Sequence, residues 1–236
     1  MLAIKDIPDF GFGNMLLYYY NLRQFAFEEN KMFSCPPFYG SDIFEGNLTG
    51  DNLTDNADFL EPCLGEFFFR NNGLSTRDIF KLKLHTEIPK KTCAIHFRGT
   101  DFHQWMPSAV LGSEYYINSI AEIGDEAETY ILFTDDEKLP SYMSVLKHLR
   151  DNNKNVMKGD NTPDRRYFVP DFVRMCNCDF IISSPSTFNI CAGFIGKHKK
   201  IIHSNKWIQS RVNEDDMFWV GLNNGGNADY HIWKSV

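Results

Sequence analysis

The chain has 236 residues, enough for one large domain or two small ones of about 100 residues each. Its formal net charge of −7 excludes general polyanion binding, because a nucleic-acid binder carries a basic face and the longest basic cluster here is Lys197 to Lys200. No run of about 18 apolar residues is present, so no membrane span is expected.

The first stretch, MLAIKDIPDF, contains acids and a proline and lacks a signal-peptide pattern, which predicts a cytoplasmic protein. A brief strand is expected there, followed by the glycine turn Gly11-Phe12-Gly13-Asn14. A helix over residues 15–30 follows, in which Met15, Tyr18, Tyr19, Leu22, Phe25 and Ala26 recur at helical spacing and form one apolar face. Residues 35–62 are rich in Pro, Gly, Asn and Asp and read as loops. An apolar segment over 64–70 precedes a helix over 77–84, with Ser75 as its cap.

The second half alternates more clearly. Residues 93–97, 129–134, 155–158, 179–183 and 200–203 read as short strands, and residues 113–123, 138–150, 170–176 and 187–195 as helices. Strands alternating with helices predict parallel strands joined by crossover helices, with ligands beyond the strands' carboxyl ends. Six scattered cysteines without CxxC spacing fit reduced, buried thiols. No DxD triplet, GxSxG elbow, HExxH or zinc-finger spacing occurs, so neither a metal site nor a serine-hydrolase triad is predicted.

Four polar clusters fall at such strand ends. In GFGN, Gly11 and Gly13 let backbone amides approach a ligand at a helix start, and Asn14 either caps the helix or bonds a bound group. In IHFRGTD, His96 and Arg98 share one strand face and Asp101 can fold back toward them. The Arg98 fork either grips a phosphate or pairs with Asp101. In ILFTDD, Asp135 and Asp136 either hold a divalent metal, accept from a base's ring N–H and amino group, or cap the next helix. Ser183, Ser184, Ser186 and Thr187 crowd a helix start, where hydroxyls and free amides form an anion cradle.

Together these clusters resemble the inverting fucosyltransferase superfamily, nearest to its alpha-1,2-fucosyltransferase branch. The GFGN turn is similar to that family's G-x-G-N-Q segment, His96 to Asp101 matches H-x-R-x-x-D, and Phe133 to Asp136 matches F-S/T-D-D. Residues 171–188 resemble its third motif, ending in S-x-S-T-F at Phe188. Order and spacing agree over roughly residues 8 to 207, with Gly99 in place of the usual second arginine, Met15 in place of the glutamine, and Asn189-Ile190 in place of a tryptophan-rich continuation.

The resemblance implies an α/β protein of the GT-B type, two facing Rossmann-like halves with parallel sheets and GDP-fucose between them. The halves would be residues 1–90 on the acceptor side and 91–210 on the nucleotide-sugar side, with residues 211–236 as a tail packing back on the first. It implies a metal-independent fucosyltransferase that takes GDP-fucose as donor substrate and a glycan hydroxyl as acceptor, with no cofactor and no nucleic-acid partner. Arg98 would hold the donor's beta-phosphate. His96 and one of Asp135 or Asp136 would address the nucleoside, and Ser184, Ser186, Thr187 and Phe188 would line the donor. Asn14, with Gly11 and Gly13, would bridge donor and catalytic centre. Asp101 is the first candidate for the base that inversion needs, and Glu66 the second. The alternatives are the same fold with another nucleotide sugar, a binding module that has lost catalysis, and a redox enzyme on the same sheet.

Overall fold

The computed structural model describes residues 1–7, 11–60, 74–105, 107, 110–160 and 168–204. The chain divides into two compact units with a boundary between Leu84 and His85, six residues before the boundary expected from the motifs. The expected segment over 64–70, with Glu66, and the tail over 211–236 lie outside the described residues.

The first unit holds, in order, β1 (Leu2–Ala3), α1 (Phe12–Glu28), β2 (Phe33–Ser34), α2 (Gly40–Ile43), β3 (Asp58–Phe59) and α3 (Thr76–Ile79). Its strands form a parallel sheet in the order β2-β1-β3. Helix α1 begins three residues earlier than periodicity predicts, because Gly11 takes φ 98° and turns the chain directly into it. Asn14 therefore sits inside the first helical turn and does not cap it. The helix also departs from the expected single apolar face. Phe12 to Tyr20 are buried nearly all round, Asn14 excepted, and Gln24 is buried with its amide donating to the Leu74 carbonyl at 3.0 Å. The span read as loop contains α2 and β3, both too short to show a period. Ser75 caps α3 in a reciprocal box with Asp78, but the helix stops at Ile79, not at 84, where the chain turns to bridge Leu82 to Phe44.

The second unit runs β4 (Thr92–Phe97), α4 (Phe102–Trp105), α5 (Ser113–Ile123), β5 (Thr129–Thr134), α6 (Pro140–Asp151), β6 (Asn155–Lys158), α7 (Phe168–Asn177), β7 (Phe180–Ser183), α8 (Thr187–Ile195) and β8 (Lys200–His203). All five strands are parallel and their order is β6-β5-β4-β7-β8. The expected strands and helices are all found, with no end moved by more than two residues; the one-turn α4 had no sequence signal. Every residue of β4 and β5 is buried, as apolar runs in a parallel sheet require.

One sheet face, with Cys93, Ile95 and Phe97 of β4, joins Tyr116 and Ile120 of α5 and Tyr142 and Val145 of α6 in a single apolar cluster. Burying each such large side chain contributes about 1.5–3 kcal/mol. The alternate residues Ala94 and His96 consequently point to the opposite face, where α8 meets them. Cys35, Cys93, Cys176, Cys178 and Cys191 are buried and form no disulfide, and burial pushes the Cys35 thiol up to about 12. Among the described residues no helix is long and apolar enough to cross a membrane.

Candidate ligand site at the strand ends

Counting the second unit's strands from β4, the sheet order is 3-2-1-4-5. The chain builds outward from β4 through β5 to β6, then returns to β4's other side with β7 and β8. Connections on either side of the β4–β7 pair thus leave in opposite directions, which opens a crevice beyond the carboxyl ends of those two strands. His96 and Arg98 come from the end of β4, Asp135 and Asp136 from the end of β5, and Ser184 to Phe188 from the end of β7.

Arg98 lies between two carboxylates. Its Nη2 is 2.8 Å from Oδ2 of Asp101 and its Nη1 is 3.2 Å from Oδ2 of Asp135, and its guanidinium stands 5.4 Å from the Phe102 ring centroid. Of the two sequence alternatives for Arg98, the structure shows the pairing with Asp101, and as the chain stands the fork is engaged within the protein. Two acids against one base leave this cluster with a net negative formal charge. Arg98 is 32% exposed and Asp101 52%, so the outer ion pair faces water and contributes only about 0–1 kcal/mol. The Nε–H of Arg98 is buried and makes no hydrogen bond among the described residues.

Asp135 organises the turn. Its Oδ1 accepts from the Gly99 amide at 3.1 Å and its Oδ2 from the Thr100 hydroxyl at 2.7 Å. With Arg98 added, its side chain has three partners on the β4 turn and no role as a helix cap. Asp136 does not cap the helix either, since α6 has Leu139 at its N-cap and no side-chain cap. The Asp136 Oδ1 instead accepts from the Lys138 amide at 2.8 Å, closing the turn that leads toward α6. Neither acid stands unengaged toward a nucleoside. Gly99 could not carry a side chain without movement, because a Cβ there would lie 2.4 Å from Leu139 Cδ2.

His96 is 8% exposed. Its Nδ1 lies 2.7 Å from Ser184 Oγ and 2.8 Å from Asn189 Nδ2, and its ring stands 5.9 Å from that of Phe188. Burial is the main cause that lowers its pKa to about 4. The Asp135 carboxylate pulls it up in part, and the Arg98 guanidinium pushes it down. The imidazole is therefore neutral at pH 7.

The serine cluster divides by position. Ser183 and Ser184 are buried and spend their hydroxyls on Asn189, His203 and His96. Ser186 caps α8, its Oγ accepting from the Phe188 amide at 3.3 Å. Thr187, half-buried at the first position of α8, is the member placed nearest to water. The expected cradle of four hydroxyls is thus reduced to the helix start itself, with its free amides and Thr187. Phe188 packs edge-on against Phe172 at 5.2 Å, which makes it a wall between the crevice and α7.

Three contributors were assigned no role in the sequence reading. Asn189 and His203 belong to the buried network under His96, and Asp171, in the first turn of α7, has its carboxyl raised to about 6, chiefly by burial. Asp171 accepts from the Asp160 amide at 2.7 Å beyond the end of β6. A polar Asn inside the apolar run TFNICAGFI was the one available signal, since a buried amide requires partners. Gly11, Gly13 and Asn14 lie in the first unit, at the start of α1. Among the described residues no group of three or more His, Cys, Asp or Glu is placed to share a metal ion.

No protein-family model matches this chain, and no curated protein matches it.

Proposed function

We propose that the protein is a metal-independent, inverting glycosyltransferase of the GT-B type, moving fucose from GDP-fucose to a hydroxyl of a glycan acceptor. The observation that carries this reading is the topological switch point. A guanidinium, a neutral imidazole and a capped helix start converge at the carboxyl ends of β4 and β7, where open α/β sheets bind nucleotides.

The chemistry needs those groups. Breaking the sugar–phosphate bond places negative charge on the departing diphosphate while the sugar becomes cation-like. Positive charge and N–H donors fixed beside the phosphate stabilise that state more than the bound substrate. In this scheme Arg98 leaves the exposed Asp101 and forks onto the diphosphate, keeping Asp135 as its anchor. His96 and the amides at the start of α8 supply uncharged donors. Asp101, released from Arg98, is then the candidate base for the acceptor hydroxyl. Gly11, Gly13 and Asn14 are assigned to the sugar end of the donor on the resemblance alone.

Calorimetry tests the reading. GDP should bind with the same affinity with and without a chelator, and GDP-fucose without acceptor should be slowly hydrolysed to GDP. Absence of GDP binding, or binding only with a divalent cation, would remove the proposal. A second reading has one observation in its favour: Arg98 is neutralised by two carboxylates, as suits a site that binds but does not turn over. GDP-fucose bound without any hydrolysis would establish that binding module instead.

A further inference from the structure

Asn189 is 1% exposed within the apolar helix α8, and each of its amide atoms is bonded. The orientation of that amide follows from Ser184. The Ser184 carbonyl oxygen, which can only accept, lies 3.0 Å from Asn189 Nδ2, so the NH2 group must be on that side. The same Nδ2 is 2.8 Å from Nδ1 of His96. A donor aimed at Nδ1 requires that nitrogen to be unprotonated.

The neighbouring bonds agree in direction. Asn189 Nδ2 is also 3.2 Å from Ser184 Oγ, which can accept from it while its own O–H donates to His96 Nδ1 at 2.7 Å, the two donors sharing the one Nδ1 lone pair. On the other side, Asn189 Oδ1 accepts from the Ser183 hydroxyl. With its proton so committed, Ser183 Oγ accepts from Nδ1 of His203 at 2.9 Å. Donation therefore runs one way from β8 to β4, and His203 and His96 take opposite tautomers. An amide suits the middle position because it gives and receives at once; a serine or alanine there would break the sequence.

We propose that Asn189 is a positioning residue that holds His96 with its proton on Nε2, so that the end of β4 presents a neutral N–H donor to an anionic ligand. Among the described residues no hydrogen bond reaches His96 Nε2, which leaves that donor for the ligand. The proposal deepens the donor reading given above for the ligand's identity, but the tautomer itself rests only on the network. The groups that bear on the ring are the Asp135 carboxylate, the Arg98 guanidinium, the Ser184 hydroxyl and the face of Phe188. Of these the Asp135 charge alone favours an imidazolium, and burial outweighs it.

The test is nitrogen NMR of the whole protein, labelled at its histidine rings and free of nucleotide, with the His96 signals identified by their loss in His96→Gln. Between roughly pH 5 and 8 the wild-type ring should show an unprotonated Nδ1 and a protonated Nε2. In Asn189→Asp a carboxylate replaces the donor and can only accept. The proton should move to Nδ1, and the ring should begin to titrate within that range. A wild-type ring protonated on Nδ1 would overturn the proposal, as would an Asn189→Asp protein whose His96 pattern is unchanged. The wild-type spectrum requires no variant to fold and no GDP, so its outcome is separate from that of the donor reading. A residue that merely filled space would leave the ring's protonation where it was.

Discussion

Asp135 stands opposite Arg98 across the ends of two adjacent strands, its Oδ2 3.2 Å from Nη1, while its Oδ1 accepts from the Gly99 amide. One carboxylate thus fixes both the turn that carries the guanidinium and one arm of the guanidinium itself. The other arm, on Asp101, is the one a ligand can replace.

Arg98→Lys preserves the charge but offers no fork able to hold Asp135 and a phosphate together. Turnover of GDP-fucose should fall about a hundredfold, the usual loss for one transition-state donor. The melting temperature should hardly change, since ion pairs this exposed contribute about 0–1 kcal/mol. Steady-state kinetics beside a thermal melt decide it, and near-normal turnover would end the phosphate assignment.

Asp101→Asn separates binding from chemistry. Removing the carboxylate that competes for Arg98 should tighten GDP binding by up to about fivefold, the equivalent of about 1 kcal/mol. Loss of the base should lower transfer to acceptor by about a hundredfold or more. Calorimetry and product formation on one variant should therefore move in opposite directions. Transfer at the wild-type rate would show that the base lies elsewhere.

Stability should rise with pH on the acid side. His96 and His203 titrate at about 4 and about 3 in the folded chain, both lowered mainly by burial, against about 6.5 when unfolded. Between those values the unfolded chain holds more protons, so folding strengthens as pH increases, by up to about 1.4 kcal/mol per pH unit for each ring. Asp171 acts in the opposite sense. Raised to about 6, it stabilises fully only below about pH 4, and that contribution is lost by about pH 6. Two histidines outweigh one carboxyl, so the urea midpoint should climb from about pH 4 to 7. Asp171→Asn should steepen the climb and His203→Gln should flatten it. A level wild-type profile would contradict the burial of these rings.

Gly99→Ala should destabilise by about 1–3 kcal/mol, the ordinary cost of overpacking, because the new methyl would meet three atoms of Leu139. Leu139→Ala alone should cost about 2–5 kcal/mol. The double variant should cost less than the two added together, and denaturant titrations of the four proteins measure the difference. Simple additivity would mean that the backbone yields at Gly99, not the side chain at Leu139.

The second unit was legible in the sequence because four of its five strands, all but the exposed β6, are buried. CAIHF, TYILFT, FIIS and KIIH are apolar runs bounded by polar turns, and that alternation yields the parallel sheet directly. The first unit was less so. Its strands are two residues long, shorter than any period, and α1 is buried too completely for one face to stand out. In the site, the residue types at the strand ends were visible, but the partners of each were not. Whether Asp135 meets a ligand or Gly99 depends on the β4–β5 register, and whether Ser184 faces out or down depends on where the strand stops twisting. Asn189 was hidden for the same reason: it bonds a residue 93 positions away.

That separation has a further consequence for the living chain. His96 lies 88 residues before Ser184, so a polypeptide still being synthesised completes β4 and the Arg98 turn after it long before the segment that will steady the imidazole has left the ribosome. Parallel pairing across such a distance waits on slow loop closure. Nascent or C-terminally shortened chains therefore have the charged groups without their support, and only the complete five-stranded sheet brings the two together.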